Sequence, residues 1–188
     1  MVKRTHEARK PALAASELAR RAGRIRLVLT DNDGVLTDSG IYYSPRGEEL
    51  YRFSRRDGMG ADLLRRAGIE CAIVTSEISP MIRRRAVKLR MKHLFMGVKE
   101  KGTALSSILK KTGRHPEEVA YIGDDVNDLE IIRAVGASGL TACPQDAVAP
   151  IAAEVHVVLR ARGGHGAFRE FADLILELGG PHTPGDGR

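Results

Sequence analysis

Hydrophobic and polar positions follow two alternating periods along most of this chain, and they predict a series of strands and helices. The run IRLVLTD (residues 25–31) is continuously apolar over the length of one strand, which is typical of a parallel sheet covered on both faces. Helically spaced segments such as KGTALSSILKKTG (101–113) lie between further apolar runs such as EEVAYIGDD (117–125). Repeated strand–helix units require crossovers between parallel strands, so the pattern predicts an α/β fold with a doubly wound parallel sheet.

A hairpin and an N-terminal helix are predicted outside this series. The segment GIYYSPRGEELYRF (40–53) has two β-prone pieces around Ser-Pro-Arg-Gly, which predicts a β-hairpin that is too polar for the centre of a sheet. Pro11 and Gly23 bracket an amphipathic segment and predict a short helix that ends at the glycine. We therefore expect a basic leader with a short helix at 1–23, one domain at 24–180 and a disordered tail at 181–188.

Composition and charge narrow the classes of partner. The 188-residue chain has a formal charge of +6, and its first 26 residues, with eight Lys or Arg and two Glu, carry the whole excess. With four Phe, four Tyr and no Trp, stacking surfaces for nucleic acid are scarce, and we expect no nucleic-acid partner. We also expect no membrane segment, a cytoplasmic location, and buried thiols at Cys71 and Cys143.

Acidic residues follow two of the predicted strands. Asp31 and Asp33 come directly after the first strand, and Asp124 and Asp125 follow a later one, with Asp128 a helical turn further on. Because the carboxyl ends of parallel strands meet at one edge of a sheet, these carboxylates converge. Crowded negative charges need a cation, and a set of oxygen ligands suits Mg²⁺, so the sequence predicts a magnesium site.

Two further residues extend this set. Thr75 ends another predicted strand, and Lys101 opens a predicted helix. A threonine, a lysine and Mg²⁺ together form a cradle for a dianionic phosphate, which indicates phosphoryl transfer. Each residue also has a structural alternative: the aspartate pairs could cap helices, Asp128 could interact only with the helix dipole, and the lysine could be solvated.

Four motifs carry a resemblance to a known family. The segments DNDGVLTD (31–38) and GDDVND (123–128), together with Thr75 and Lys101, occur in the order and at the separations found in haloacid dehalogenase-like phosphatases. The resemblance implies that Asp31 is a nucleophile that forms an aspartyl-phosphate, and that Asp33 acts as general acid and base. It also implies that Mg²⁺ is bound by the carboxylates of Asp31 and Asp124 and by the backbone carbonyl of Asp33. Phosphate would be bound by Thr75, Ser76 and Lys101. Asp125 and Asp128 would support these ligands without touching the metal or the phosphate.

Longer segments resemble one subfamily. DGVLTDSGIYYSPRGEELYRFSRRDGMG (33–60) and RARGGHGAFREF (160–171) are similar to phosphatases of eight- and nine-carbon keto-deoxy sugar acids, including the phosphatase-like tail of CMP-sialate synthetases. This resemblance implies a haloacid dehalogenase-like, Rossmann-like sheet with a hairpin flap and no cap domain. It further implies a sugar-acid phosphate as substrate and a homotetramer in which hairpins pack together and neighbouring subunits help to close each site. A non-catalytic tetramerisation module and a phosphatase for another small metabolite remain alternatives.

Several residues bear on which sugar is bound. Glu77, Arg85 and Lys88 match positions of the substrate platform in the nine-carbon type, which favours a nine-carbon substrate over 3-deoxy-D-manno-octulosonate (KDO) 8-phosphate. Arg56 could clamp a substrate carboxylate or lie on a solvated hairpin edge. The glycines at 163–166 predict a turn before the last helix, whose N-terminal amides could bind an anion.

One residue departs from the subfamily. Position 32 is Asn where the subfamily has an apolar residue. If strand alternation continues, Asn32 points away from Asp31 and Asp33 into the covered side of the sheet. A buried amide there needs a hydrogen-bond partner.

Overall fold

A six-stranded sheet and a separate two-stranded hairpin organise the computed structural model, which describes residues 13–180. The strands in chain order are β1 (Leu27–Thr30), β2 (Ile41–Ser44), β3 (Gly47–Tyr51), β4 (Glu70–Val74), β5 (His93–Phe95), β6 (Val119–Ile122), β7 (Leu140–Cys143) and β8 (Val157–Val158). The large sheet has the order β5-β4-β1-β6-β7-β8, and all of its neighbouring strands are parallel. The predicted doubly wound parallel sheet is therefore confirmed.

Helices cover both faces of this sheet. They are α1 (Ala15–Arg24), α2 (Arg55–Arg66), α3 (Pro80–Lys88), α4 (Lys101–Thr112), α5 (Leu129–Gly136), α6 (Ala149–Glu154) and α7 (Ala167–Gly179). One core cluster joins the sheet to α1, α2, α3 and α7, and a second joins it to α4, α5 and α6. Val28 of β1 packs in the first cluster, and Leu27 and Leu29 pack in the second. Burial on both faces explains why β1 is continuously apolar.

The hairpin forms where the sequence predicts it. Strands β2 and β3 pair in antiparallel fashion around the turn between Ser44 and Gly47, with a register shift between Tyr42 and Tyr43. Between β3 and β4 the chain forms only α2, so the described residues contain no additional domain at this position. The hairpin is thus a flap attached to the end of the sheet that carries the acidic motifs.

Two helix boundaries differ from the predictions. The first helix does not stop at the glycine: it includes Gly23 and ends at Arg24. Helix α2 begins at Arg55, earlier than the helical pattern indicated, because the Ser54 side chain caps it by accepting a hydrogen bond from the Arg56 amide. Pro11 and the predicted tail at 181–188 lie outside the described residues. Within 13–180, every helix is too short or too polar to cross a bilayer.

Candidate active site

The site lies where β1 and β6 end side by side. Thr30 pairs with Ile122 in the sheet, and the Asp31 amide donates a hydrogen bond to the Ile122 carbonyl oxygen at 3.0 Å. The chain winds outward in both directions from these central strands, since β4 and β5 lie on one side and β7 and β8 on the other. In doubly wound sheets, ligands bind at the carboxyl ends of the strands at such a reversal.

A buried lysine joins two carboxylates behind the strand ends. Lys101, the first residue of α4, places its Nζ 2.7 Å from Asp31 Oδ2 and 2.7 Å from Asp128 Oδ1. All three residues are at most 4% exposed. Burial acts to lower the pKa of Lys101, but the carboxylates of Asp31 and Asp128 outweigh it, so the pKa is raised and the ammonium stays charged. Lys101 is therefore a fixed cation, which excludes the alternative of a solvated lysine.

Asp128 connects this ion pair to the next acidic residue. Its Oδ1 also accepts a hydrogen bond from the Tyr121 hydroxyl at 2.6 Å, and its Oδ2 accepts one from the Asp124 amide at 2.9 Å. Asp128 thereby orients Lys101 and the backbone of Asp124 together. Sequence reasoning missed Tyr121, although a tyrosine in a fully buried strand always raises the question of where its hydroxyl bonds.

The Asp124 carboxylate closes over a glycine of the first motif. Gly34 has a φ of +75°, and a Cβ on it would lie 1.8 Å from Asp124 Oδ2, so only glycine fits there. Asp124 Oδ1 is buried and has no hydrogen-bond partner among the described residues. Burial first, and then the charges of Asp128 and Asp125, raise the pKa of Asp124 to about 7. This carboxylate lacks the positive partner that its ionised form requires.

The donor set fits a hard divalent cation. Asp31, Asp124 and Asp128 each offer a carboxylate oxygen, and these three oxygens lie within 4.8 Å of one another. Lys101 compensates only part of their charge, and the unpartnered oxygen of Asp124 belongs to the same group. Oxygen ligands without nitrogen or sulfur are those that Mg²⁺ prefers, so the residues present fit magnesium.

The carboxyl group of Asp33 is held by two hydrogen-bond donors. Its Oδ1 accepts hydrogen bonds from Thr37 Oγ1 at 3.2 Å and from Asn32 Nδ2 at 3.0 Å, and burial raises its pKa. The predicted orientation of Asn32 is therefore wrong: the residue is buried, but its amide contacts Asp33. The reason is that β1 ends at Thr30, so strand alternation does not extend to position 32.

A crevice of about 290 Å³ opens between the two motif segments. Asp125 caps the short 3-10 turn Val126–Asp128, since its carboxylate accepts a hydrogen bond from the Val126 amide at 2.7 Å. The capping alternative is thus correct for Asp125, whereas Asp124 faces Gly34 and Asp31. The residues that line the crevice are Asp31, Asp33, Ser39, Asp124, Asp125, Val126 and Asn127.

The predicted phosphate-binding residues follow the neighbouring strand. Thr75 comes directly after β4, which pairs with β1, and it is 1% exposed. Its hydroxyl accepts a hydrogen bond from the Glu77 amide at 3.1 Å, and the half-buried Ser76 lies between them. The charge of Glu77 contributes to the raised pKa of Asp33, which places these two side chains in the same electrostatic environment.

The other residues that were predicted to bind substrate do not lie together at the crevice. Arg56 lines a different groove, which runs along α7. Arg85 donates a hydrogen bond to the Ser54 carbonyl oxygen at 2.7 Å and lies 5.1 Å from the centre of the Phe53 ring, so it packs at the start of α2. Lys88 is exposed at the last residue of α3.

The glycine turn before α7 contacts the first motif. The Gly164 amide donates a hydrogen bond to the Val35 carbonyl oxygen at 2.9 Å, and a Cβ on Gly163 would lie 2.0 Å from the Gly34 carbonyl oxygen. The N-terminus of α7 does have an anionic partner, but it is part of the protein. Asp57 is fully buried, and its Oδ1 accepts a hydrogen bond from the Arg169 amide at 3.0 Å.

Similarities to known proteins agree with this geometry. The model of the haloacid dehalogenase-like hydrolases matches residues 59–136. The 3-deoxy-D-manno-octulosonate 8-phosphate phosphatase of Haemophilus influenzae is 42% identical over 156 residues, which cover 83% of this chain and 85% of that protein. This chain belongs to the haloacid dehalogenase-like hydrolase family.

Two similar solved structures have the same fold and were obtained with a metal ion bound. The KDO 8-phosphate phosphatase from Moraxella catarrhalis, in complex with magnesium, phosphate and KDO, has a TM-score of 0.81 at 36% identity and covers 87% of this chain and 92% of its own. The cobalt-bound enzyme from Haemophilus influenzae has a TM-score of 0.81 at 39% identity and covers 89% of this chain and 96% of its own. The fold of this chain is therefore that of these phosphatases.

Proposed function

We propose that this chain is a Mg²⁺-dependent phosphatase that hydrolyses KDO 8-phosphate. The observation that carries the proposal is the buried Asp31–Lys101–Asp128 group beside the unpartnered carboxylate oxygen of Asp124. The relatives supply the reaction and the sugar, since proteins up to 42% identical to this chain are KDO 8-phosphate phosphatases.

Two aspartates perform the chemistry in this proposal. A carboxylate oxygen of Asp31 attacks phosphorus, the bond between phosphorus and the sugar oxygen breaks, and Asp33 gives its proton to that leaving oxygen. The ionised Asp33 then takes a proton from water as the water oxygen attacks phosphorus, which breaks the bond to Asp31 and releases inorganic phosphate. The raised pKa of Asp33 favours the protonated form that the first step requires.

The other residues bind and orient. Mg²⁺ would be held by the carboxylates of Asp31 and Asp124 and by the backbone carbonyl of Asp33. When bound, it offsets the negative charge of the carboxylates and the phosphate. Lys101 keeps Asp31 in place for attack and offers positive charge to the phosphate oxygens. We assign phosphate contacts also to Thr75 and Ser76, and we assign to Asp125 and Asp128 the support of the residues that bind metal and phosphate.

The choice of sugar rests on the comparisons. Glu77, Arg85 and Lys88 favoured a nine-carbon substrate from sequence, but Arg85 is already engaged with Ser54 and Phe53. The relatives described above act on an eight-carbon sugar acid. We therefore propose the eight-carbon substrate, and we assign Arg56, Glu77 and Lys88, but not Arg85, to its recognition only within an assembly.

We propose that this assembly is a homotetramer formed through the hairpin. Tyr42, Tyr43 and Leu50 expose 66%, 67% and 62% of their surface, which is unusual for large apolar side chains on one two-stranded unit. The Leu50→Glu variant should sediment as a smaller species than the wild type. An unchanged sedimentation coefficient would reject the hairpin as the interface.

We propose a cytoplasmic location for the enzyme. Cys71 and Cys143 are both buried, and neither is part of a disulfide. Free thiols are typical of proteins that work in a reducing compartment.

Release of phosphate from a panel of substrates tests the proposed function. With Mg²⁺ present, KDO 8-phosphate should give a higher kcat/KM than the nine-carbon 9-phosphates of keto-deoxy-nononate and N-acetylneuraminate, or than unrelated small phosphates. The Asp31→Asn variant, with fold and assembly intact, should release none. A preference for another phosphate would reject the proposed substrate, and release from none would favour a non-catalytic tetramerisation module.

A further inference from the structure

The side chain of Asn32 has an arrangement that packing alone does not explain. It is fully buried, and its Nδ2 donates a hydrogen bond to Asp33 Oδ1 at 3.0 Å. The nitrogen of the amide therefore faces Asp33, and the amide oxygen makes no bond to it. That oxygen, Oδ1, is buried and has no hydrogen-bond partner within residues 13–180.

This arrangement costs stability. A buried carbonyl oxygen without a partner loses its hydrogen bonds to water and receives nothing in return. Leucine has nearly the same shape as asparagine and would fill the same space without that loss. The residue therefore contributes something other than folding free energy at this position.

The contact to Asp33 is that contribution. Thr37 Oγ1 contacts the same oxygen of Asp33 at 3.2 Å, so both donors hold Oδ1. Only the other oxygen, Oδ2, then remains available to a molecule bound in the crevice that Asp33 lines. A carboxyl group held at one oxygen by two donors cannot rotate without losing both hydrogen bonds, so its second oxygen keeps a fixed direction.

We propose that Asn32 is a positioning residue that fixes Asp33 for proton transfer to the leaving oxygen. The inference rests on the proposed function, in which Asp33 is the general acid. When the bond between phosphorus and the sugar oxygen breaks, the proton passes from Asp33 to that oxygen. Asn32 touches neither the substrate nor the reacting atoms; it acts through the orientation of Asp33.

A substrate whose leaving group needs no proton can distinguish this positioning role from a purely structural one. An alkyl oxygen, as in a sugar phosphate, is a poor leaving group without protonation, whereas p-nitrophenolate leaves unprotonated. Because kcat/KM reports the steps up to transfer of phosphate to Asp31, it isolates the step in which Asp33 acts as acid. Loss of positioning should therefore lower kcat/KM for the sugar phosphate and not for p-nitrophenyl phosphate.

The test compares Asn32→Leu with two reference variants. We expect Asn32→Leu to lower kcat/KM for KDO 8-phosphate about 10-fold and for p-nitrophenyl phosphate less than about 2-fold, with an equal or higher melting temperature. Asp33→Asn removes the acid itself, so it shows the largest loss of kcat/KM for KDO 8-phosphate relative to p-nitrophenyl phosphate that can be expected. Thr141→Val is the matched control, since it removes a buried hydroxyl that bonds His156, the residue just before the neighbouring strand β8, and it should change kcat/KM for neither substrate. Asn32→Ala, which cannot overpack the site, is measured in parallel and should show the same selective loss.

Each outcome decides between defined alternatives. Equal loss on both substrates, or no loss, in the Asn32 variants would overturn the inference while leaving the proposed function in place. Failure of Asp33→Asn to show the selective loss would overturn the acid role of Asp33 and the inference with it. A wild-type protein that hydrolyses neither substrate would overturn the proposed function itself.

Discussion

Replacing Gly34 by alanine tests how the two acidic motifs fit together. A Cβ on Gly34 would lie 1.8 Å from Oδ2 and 2.3 Å from Cγ of Asp124. Gly68 provides a matched control, because its φ of +78° is close to the +75° of Gly34 and a Cβ on it would meet nothing within 4 Å. The two substitutions therefore introduce the same backbone strain, but only one displaces a carboxylate.

The expected magnitudes follow from this difference. Alanine in the left-handed region costs about 1–2 kcal/mol at either glycine, which for a chain of this size lowers the melting temperature by about 2–8 °C. In Gly34→Ala the Asp124 carboxylate must in addition move by roughly 1.5 Å to reach ordinary contact distance. Since a misplacement of about 1 Å can cost about 100-fold in rate, we expect kcat/KM to fall by about that factor.

Calorimetric titration with Mg²⁺ and steady-state kinetics measure the effect. Gly34→Ala should bind Mg²⁺ at least about 10-fold more weakly than Gly68→Ala, and Gly68→Ala should resemble the wild type in both assays. If the two alanine variants bind Mg²⁺ equally well, Asp124 does not hold the metal in the position that the structure gives it.

Three further predictions concern buried groups. Tyr121→Phe removes a hydrogen bond to the Asp128 carboxylate and should lower the free energy of unfolding in urea denaturation by about 1.5–3 kcal/mol; a loss below about 0.5 kcal/mol would contradict this contact. The pKa of Asp124 is about 7 in the metal-free fold and lower in the unfolded chain, so the native state holds the extra proton. Metal-free protein should lose stability as the pH rises from about 4 to 7, and the increase in melting temperature on adding Mg²⁺ should be larger at about pH 8 than at about pH 5.5; a pH-independent increase would contradict this linkage. Burial, with a smaller effect of Glu70, raises the pKa of Cys71 to about 12, so alkylation should require unfolding; rapid labelling of the native protein would contradict its burial.

The fold could be predicted because its signals are local. The apolar run of β1 and the helical spacing of α4 depend on neighbouring residues, and both elements form where the pattern indicates. Convergence of the acidic motifs follows from the same reasoning, since it needs only parallel strands that end at one edge of a sheet. The signal for the predicted hairpin is equally local, since its two strands flank the turn between Ser44 and Gly47.

The contacts that set the details of the site are not local. The bond between Asp57 and the Arg169 amide spans 112 residues, and no periodicity reports such a pair. Asn32 was misplaced because strand alternation was carried two residues beyond the end of β1. Arg85 was assigned to substrate binding from its match to the substrate platform of the nine-carbon type, and only coordinates reveal that its guanidinium bonds the Ser54 carbonyl oxygen and packs on Phe53.

Attack by Asp31 on phosphorus is the central claim, and trapping of the phosphorylated enzyme tests it most directly. Enzyme mixed with radiolabelled KDO 8-phosphate and Mg²⁺ and then quenched in acid should carry the label on the peptide that contains Asp31, and the Asp31→Asn variant should carry none. Phosphate release without any label on the enzyme, or label on a different residue, would contradict the account.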